Sequence, residues 1–90
     1  MILVKDKSRR NIMHQITLFT QPDCPPCEYS KLFLKEHGFD FEMRDIQKDP
    51  RAKKDLIKKY QSFSTPTFVI DGTVIYGFDL EKLKEALNLS

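Results

Sequence analysis

Residues 16–27 read ITLFTQPDCPPC, and this stretch decides the fold. Its first part, Ile16–Thr20, is uncharged and rich in β-branched and aromatic residues, which predicts a strand buried on both faces. Gln21-Pro22-Asp23 then breaks the strand. A helix is predicted to begin at about Cys24, because Pro25 falls at its first position, where a missing N–H costs nothing. Two cysteines therefore lie where a strand turns into a helix.

The spacing of apolar residues predicts how this first helix packs and where the next strand begins. Tyr29, Leu32 and Phe33 recur at helical spacing and are expected to form the buried stripe of the helix. Gly38 provides a natural end, because glycine readily adopts the left-handed conformation of a helix terminus. Residues 39–44 alternate strictly between apolar and polar, which predicts a strand with one solvent-exposed face.

The second half of the chain supplies a helix, a hairpin and a last helix. Asp49 and Pro50 predict a helix start, with the aspartate as the cap and the proline at the first helical position. Two apolar runs flank Asp71-Gly72, a pattern typical of a β-hairpin. Asp79 is expected to cap the last helix. The residues expected to face the core from these two helices are Ala52, Leu56, Ile57, Tyr60, Leu80, Leu83, Ala86 and Leu87.

These elements give the order β-α-β-α-β-β-α in one domain, residues 15–90. The first two strands are joined by a helix and are expected to run parallel, with a right-handed crossover. The hairpin completes a four-stranded mixed sheet with helices on its faces, which is an α/β fold. Residues 1–14 show no clear period and are interpreted as a peripheral leader, in which Ile2-Leu3-Val4 either adds an edge strand or is loosely held.

The composition limits the classes of function. The 90 residues are 40% hydrophobic and 31% charged, values ordinary for a soluble globular domain with one core. No apolar run approaches membrane length, and Ile2-Leu3-Val4 is too short for a signal-peptide core. A net charge of +2 is too small to indicate a nucleic-acid partner. We therefore expect a cytoplasmic monomer that binds neither membrane nor nucleic acid.

The chain has two cysteines, Cys24 and Cys27, with two residues between them. A secreted disulfide scaffold needs more cysteines at wider spacings, so this pair indicates redox or metal chemistry. Thiol–disulfide exchange requires a thiolate, and Cys24 in the first helical turn faces the positive end of the helix dipole. Cys27 lies one turn further on and can reach back to close a disulfide. We expect Cys24 to be the exposed, attacking residue and Cys27 the buried, resolving one.

Pro25 and Pro26 shape the chemistry of this motif. Neither proline has an N–H, so only the Cys27 amide and those beyond it can donate to a Cys24 thiolate. Hydrogen bonds to the charged form lower a pKa, so the pKa of Cys24 is expected to be less depressed than at a helix start with every amide present. The charge of Asp23 acts in the same direction. A less stabilised thiolate favours a reducing couple.

Two further motifs are candidates for a substrate site. Pro66 directly precedes a strand, where it is either an ordinary trans proline or a cis bend that exposes the backbone of Thr65 to an extended substrate. Gly77-Phe78-Asp79 precedes the last helix, where free amides form an anion site. Asp79 serves there as a helix cap, as a group that binds a substrate ammonium, or as both.

Residues 20–27, Thr65-Pro66-Thr67 and Gly77-Phe78-Asp79 together resemble a glutaredoxin, of the thioredoxin-fold superfamily, over about residues 16–87. The resemblance implies the thioredoxin fold and a cis peptide at Thr65-Pro66. It implies a glutathione site between Cys24, Thr65 and the start of the last helix. It also implies reduction of protein or mixed disulfides with no bound cofactor, glutathione being a candidate electron donor.

Three positions depart from the family pattern. Gln21 stands where glutaredoxins usually carry a lysine, Pro26 replaces an aromatic residue, and Tyr76 replaces the first of two glycines. Each change weakens the case for tight glutathione binding. Similar changes occur in glutaredoxin-like redoxins that serve ribonucleotide reductase and are recharged by a flavoprotein, thioredoxin reductase. Thioredoxin itself is a poor match, because no tryptophan precedes Cys24 and no acidic residue lies within residues 16–20.

Metal binding is the alternative from another class of function. Cys24, Cys27, His14 and His37 offer four potential ligands, but their spacings match no zinc pattern. A zinc site, an iron–sulfur cluster bridging two copies, and an interaction module without redox activity remain open. The redox interpretation is preferred, and no metal ligand is assigned, because it alone explains the cysteines, the Thr-Pro pair and the anion-binding turn together.

Overall fold

The computed structural model describes residues 14–89. The strands and helices follow in the predicted order. They are β1 (Ile16–Thr20), α1 (Pro25–Glu36), β2 (Glu42–Asp45), α2 (Pro50–Lys54) continued by a π-helical turn (Asp55–Lys59), β3 (Thr67–Ile70), β4 (Thr73–Tyr76) and α3 (Leu80–Ala86). None of the helices within this part of the chain is long and apolar enough to cross a membrane.

The four strands form one mixed sheet in the order β2-β1-β3-β4. β1 runs parallel to β2, as expected for two strands joined by a helix, and antiparallel to β3. β3 and β4 form the predicted hairpin. Its two turn residues, Asp71 and Gly72, have φ angles of 51° and 88°, which is the left-handed geometry that a two-residue hairpin turn requires.

The sheet is the middle of three layers, with helices on both of its faces. Successive strand residues point to opposite faces, so a single strand can contribute to both cores. One face buries Leu18, Phe68 and Ile75 against α1 and α3. The other face buries Phe19 and Val69 against α2 and the π-helical turn. The helix residues that complete these two cores are Leu34, Leu83 and Leu87 on the first side and Ala52 and Leu56 on the second.

The predicted buried stripe of α1 is wrong in two of its three residues. Tyr29 and Leu32 are 61% and 57% exposed, while Phe33 is partly buried against the core as expected. The buried residues of the helix are Cys27, Ser30 and Leu34. Ser30 can face the core because its hydroxyl donates to the Pro26 carbonyl at 2.7 Å.

Other differences lie at the ends of elements. β2 begins at Glu42 rather than at residue 39, while Phe39 and Phe41 pack against the core from the loop before it. Leu80, expected to face the core, is exposed at the first position of α3. The leader proposed for residues 1–14 lies outside the described residues except for His14.

Candidate functional site

Cys24 and Cys27 lie at the junction of β1 and α1 and form a disulfide, with 5.2 Å between their Cα atoms. Cys24 is the N-cap of α1, and Pro25 and Pro26 fill its first two positions. Cys24 is 8% exposed and Cys27 is fully buried. The predicted order of exposure is therefore correct, since Cys24 keeps a small accessible fraction and Cys27 keeps none.

The hydrogen bond predicted from the proline pair is present. The Cys27 amide donates to Cys24 Sγ at 3.3 Å. The same amide, and that of Glu28, also reach the Cys24 carbonyl at 2.9 and 3.1 Å. Since Pro25 and Pro26 have no N–H, the local backbone gives Cys24 Sγ one donor where an ordinary helix start offers two.

The loop before β3 brings Thr65 to this sulfur from the other side. Cys24 Sγ lies 3.8 Å from Thr65 Oγ1 and 3.9 Å from the Thr65 carbonyl oxygen. The Thr65-Pro66 peptide is cis, as the resemblance implies, and Pro66 is buried. Two of the motifs singled out in the sequence thus meet at one atom.

Hydroxyl groups hold this loop in place, and sequence reasoning did not single them out. Ser62 Oγ lies 2.8 Å from Thr67 Oγ1, and Thr67 Oγ1 donates to the Ser64 carbonyl at 2.8 Å. Ser62 and Thr67 are both buried. The only hint in the sequence is the density of hydroxyl residues in SFSTPT, residues 62–67, which is equally typical of a solvated loop.

The third motif is only partly available to a ligand. The Gly77 amide donates to the Pro66 carbonyl at 2.8 Å and so prolongs the β3–β4 pairing. This amide is therefore engaged within the sheet and is not free for an anion. Asp79 is the N-cap of α3, since its carboxylate accepts from the Lys82 amide at 3.2 Å, which confirms its predicted structural role.

Phe78 and Gln21 occupy different surroundings. The Phe78 ring is half-buried, with ring centroids 4.9 Å from Tyr29 and 5.4 Å from Phe33, so part of its role is packing. These rings line a groove of about 490 Å³ between α1 and α3. Gln21 is half-buried in the loop that joins β1 to Cys24.

Neither histidine joins the cysteines. His14 Nδ1 lies 2.8 Å from Asp71 Oδ2 at the hairpin turn, and His37 Nδ1 lies 2.9 Å from the Phe33 carbonyl oxygen at the end of α1. Across residues 14–89 no three histidine, cysteine or acidic side chains converge on one point that could hold a metal ion. The four ligands considered for zinc are thus not gathered in this fold.

The chain is similar to known proteins in sequence and in fold. The family model described as Glutaredoxin matches residues 16–75. A crystal structure of the thioredoxin-like protein BC3987 is 49% identical, with a TM-score of 0.77 over 80% of this chain and 99% of that one. The structure of NrdH-redoxin from Escherichia coli is 29% identical, with a TM-score of 0.69 over 79% of this chain and 92% of that one.

A curated relative is also similar to this chain in sequence. The glutaredoxin-like protein NrdH of Escherichia coli K12 is 36% identical over 58 residues, which is 64% of this chain and 69% of that protein. The predicted architecture, a four-stranded mixed sheet with helices on its faces, is that of these thioredoxin-fold structures and is confirmed.

Proposed function

The chain belongs to the glutaredoxin family, and we propose that it is a thiol–disulfide oxidoreductase that reduces protein or mixed disulfides through Cys24 and Cys27. The observation that carries this proposal is the inequality of the two sulfurs. Cys24 keeps 8% of its surface accessible at a helix start beside Thr65, while Cys27 is fully buried. A more accessible attacking thiol with a buried resolving thiol is what a two-step exchange needs.

The reaction starts with both cysteines reduced. The Cys24 thiolate attacks one sulfur of the substrate disulfide, so a mixed disulfide forms and the other substrate sulfur leaves as a thiolate. Cys27, once deprotonated, attacks Cys24 Sγ and releases the second substrate thiolate. The leaving thiolates take up two protons from solvent, two electrons have passed to the substrate, and the chain ends as the Cys24–Cys27 disulfide.

The residues around the sulfurs are assigned to substrate binding. Thr65 sits against Cys24 Sγ, where its backbone pairs with the extended chain next to the substrate sulfur and its hydroxyl donates to the thiolate. Pro66 shapes this bend. For glutathione as electron donor, we assign Gln21, Gly77, Phe78 and Asp79 to the peptide, although the Gly77 amide is already used within the sheet.

A thioredoxin-like redoxin recharged by a flavoprotein reductase is the second candidate function. Two observations favour it. Position 21 is Gln21 where glutaredoxins usually carry a lysine, and the Gly77 amide already donates to the Pro66 carbonyl, so both features weaken the glutathione site. The NrdH-redoxin relative is itself described as a glutaredoxin-like protein with a thioredoxin-like activity profile. Either function needs a thiol-reducing compartment such as the cytoplasm, and the chain acts as a monomer with no bound cofactor.

The electron source decides between the two functions. The oxidised protein is given NADPH with either glutathione and glutathione reductase or thioredoxin reductase, and NADPH consumption is followed in the presence of a protein disulfide. Sustained turnover with glutathione supports the glutaredoxin function, and turnover with thioredoxin reductase alone supports the redoxin function. Cys24→Ser must abolish turnover in both systems. Activity retained by that variant would exclude Cys24 as the nucleophile.

A further inference from the structure

Phe63 is the most exposed large apolar side chain within residues 14–89, with 81% of its surface accessible. It lies in the loop between the π-helical turn and β3, two residues before Thr65. At that exposure it contributes little to either core, and no sheet or helix position requires it. A phenyl ring left in water forfeits the free energy that its burial would provide, so this ring is available for a contact outside the chain.

The backbone that carries Phe63 is fixed on both sides. The Ser62 amide donates to the Leu56 carbonyl at 2.9 Å, which ties the loop to the preceding turn. The buried hydroxyls of Ser62 and Thr67 contact each other, and Thr67 holds the Ser64 carbonyl. The ring is thus presented from an ordered support, which lowers the entropy that a partner must remove on binding.

The position of this loop defines what the ring can touch. Two residues span at most about 7 Å of chain, so Phe63 stands next to Thr65, which itself contacts Cys24 Sγ. A folded protein that brings a disulfide to Cys24 also brings the surface around that disulfide, which this loop can contact. A small disulfide reaches the sulfur without covering it.

We propose that Phe63 is a specificity-determining contact for protein disulfides. Its ring packs against an apolar patch beside the partner's disulfide, while Thr65 holds the chain that carries the reacting sulfur. The side chain takes no part in the bond exchange at Cys24. This inference rests on the proposed function, since it concerns the choice of substrate for the same two cysteines.

The test compares a protein disulfide with a small one in a single turnover. Fully reduced protein is mixed with excess insulin or with bis(2-hydroxyethyl) disulfide, quenched by alkylation, and the oxidised fraction is measured by mass. Phe63→Ala is expected to lower the second-order rate constant with insulin about tenfold, as for an apolar anchor at an interface. With the small disulfide the rate constant is expected to stay within about twofold. Phe63→Leu keeps a large apolar side chain and is expected to restore most of the rate with insulin.

Met43→Ala provides the matched control. Met43 is also an exposed large apolar residue, at 51%, but it lies in mid-strand on β2 at the opposite edge of the sheet from the hairpin. This substitution is expected to leave both rate constants unchanged. The inference is overturned if Phe63→Ala matches Met43→Ala with insulin, or if it slows both disulfides equally. Wild-type protein that is oxidised by neither disulfide would instead overturn the proposed function itself.

Discussion

Cys24 shows which interactions of a single residue can be derived from the sequence. Its hydrogen bond from the Cys27 amide follows from counting N–H groups along one turn, and the structure has it at 3.3 Å. Its contact with Thr65 spans 41 positions of sequence and is predictable only through the family resemblance. The Ser62–Thr67 pair behind that contact is not predictable, because two hydroxyls in a loop carry no sign that they are buried.

Pro26→Ala tests the effect of the missing amides on Cys24. An N-cap side chain accepts from the second or third helical residue, and Pro26 occupies the second position. Alanine there supplies a new donor, so the pKa of Cys24 in the reduced protein is expected to fall and the couple to become less reducing. The measurement is thiolate absorbance near 240 nm against pH, with the reduction potential measured in parallel. Pro25→Ala is the control, since the first helical amide does not reach the cap; equal shifts in both variants would contradict the argument.

Thr67→Val tests the hydroxyls that hold the Thr65 loop. The change keeps the shape of the side chain but removes the two contacts of the Thr67 hydroxyl, so that Ser62 Oγ keeps only its 3.3 Å hydrogen bond to the Ser64 carbonyl. We expect a loss of about 0.5–1.5 kcal/mol in the free energy of unfolding, measured in urea. Thr67→Ser retains the hydroxyl and is expected to lose less. If Thr67→Ser loses stability and Thr67→Val does not, the methyl packing of Thr67 accounts for the effect and the hydroxyl does not.

The elements differ in how fully they can be predicted. Helix starts at Cys24, Asp49 and Asp79 are found from the sequence because a capping residue or a proline marks each one locally. The hairpin is found because Asp-Gly allows left-handed φ at both turn positions. The buried face of α1 is not found from the sequence, because periodicity alone favours the larger apolar residues of this helix. The fold instead buries Ser30, whose hydroxyl is satisfied within the helix.

Alanine substitutions on α1 test this corrected face. Leu34 is fully buried in the core that α1 and α3 share, whereas Leu32 is mostly exposed. Leu34→Ala is expected to lower the free energy of unfolding by about 2–5 kcal/mol, and Leu32→Ala by no more than about 0.5 kcal/mol. Urea denaturation of both variants gives the comparison. Similar losses would restore the face that the sequence pattern indicated.

At the scale of the whole molecule, the sheet explains why separate motifs form one site. β1 and β3 are antiparallel neighbours, so the loop that leaves β1 and the loop that enters β3 lie at the same end of the two strands. Cys24 and Thr65 are carried by those two loops. The order of elements narrows the possible topologies to a few, since connections are short and crossovers right-handed, and the family resemblance selects the one that brings these loops together. Side-chain details such as the use of the Gly77 amide depend on exact register, which periodicity does not specify.

The pH dependence of stability is also a property of the whole molecule, because its acidic groups join distant segments. The hydrogen bond from the Gln15 amide, and to a lesser extent the His14 side chain, hold the pKa of Asp71 below its ordinary value of 3.8. Arg44 lowers the pKa of Asp55 in the same way. A carboxyl with a lower pKa in the folded state contributes stability above its unfolded pKa and loses it as the pH falls through the folded one. The melting temperature should therefore fall as the pH drops below about 4. Asp71→Asn is expected to melt below the wild type at pH 7 and to approach it as the pH falls. A difference that stays constant across this range in circular dichroism melts would contradict the linkage.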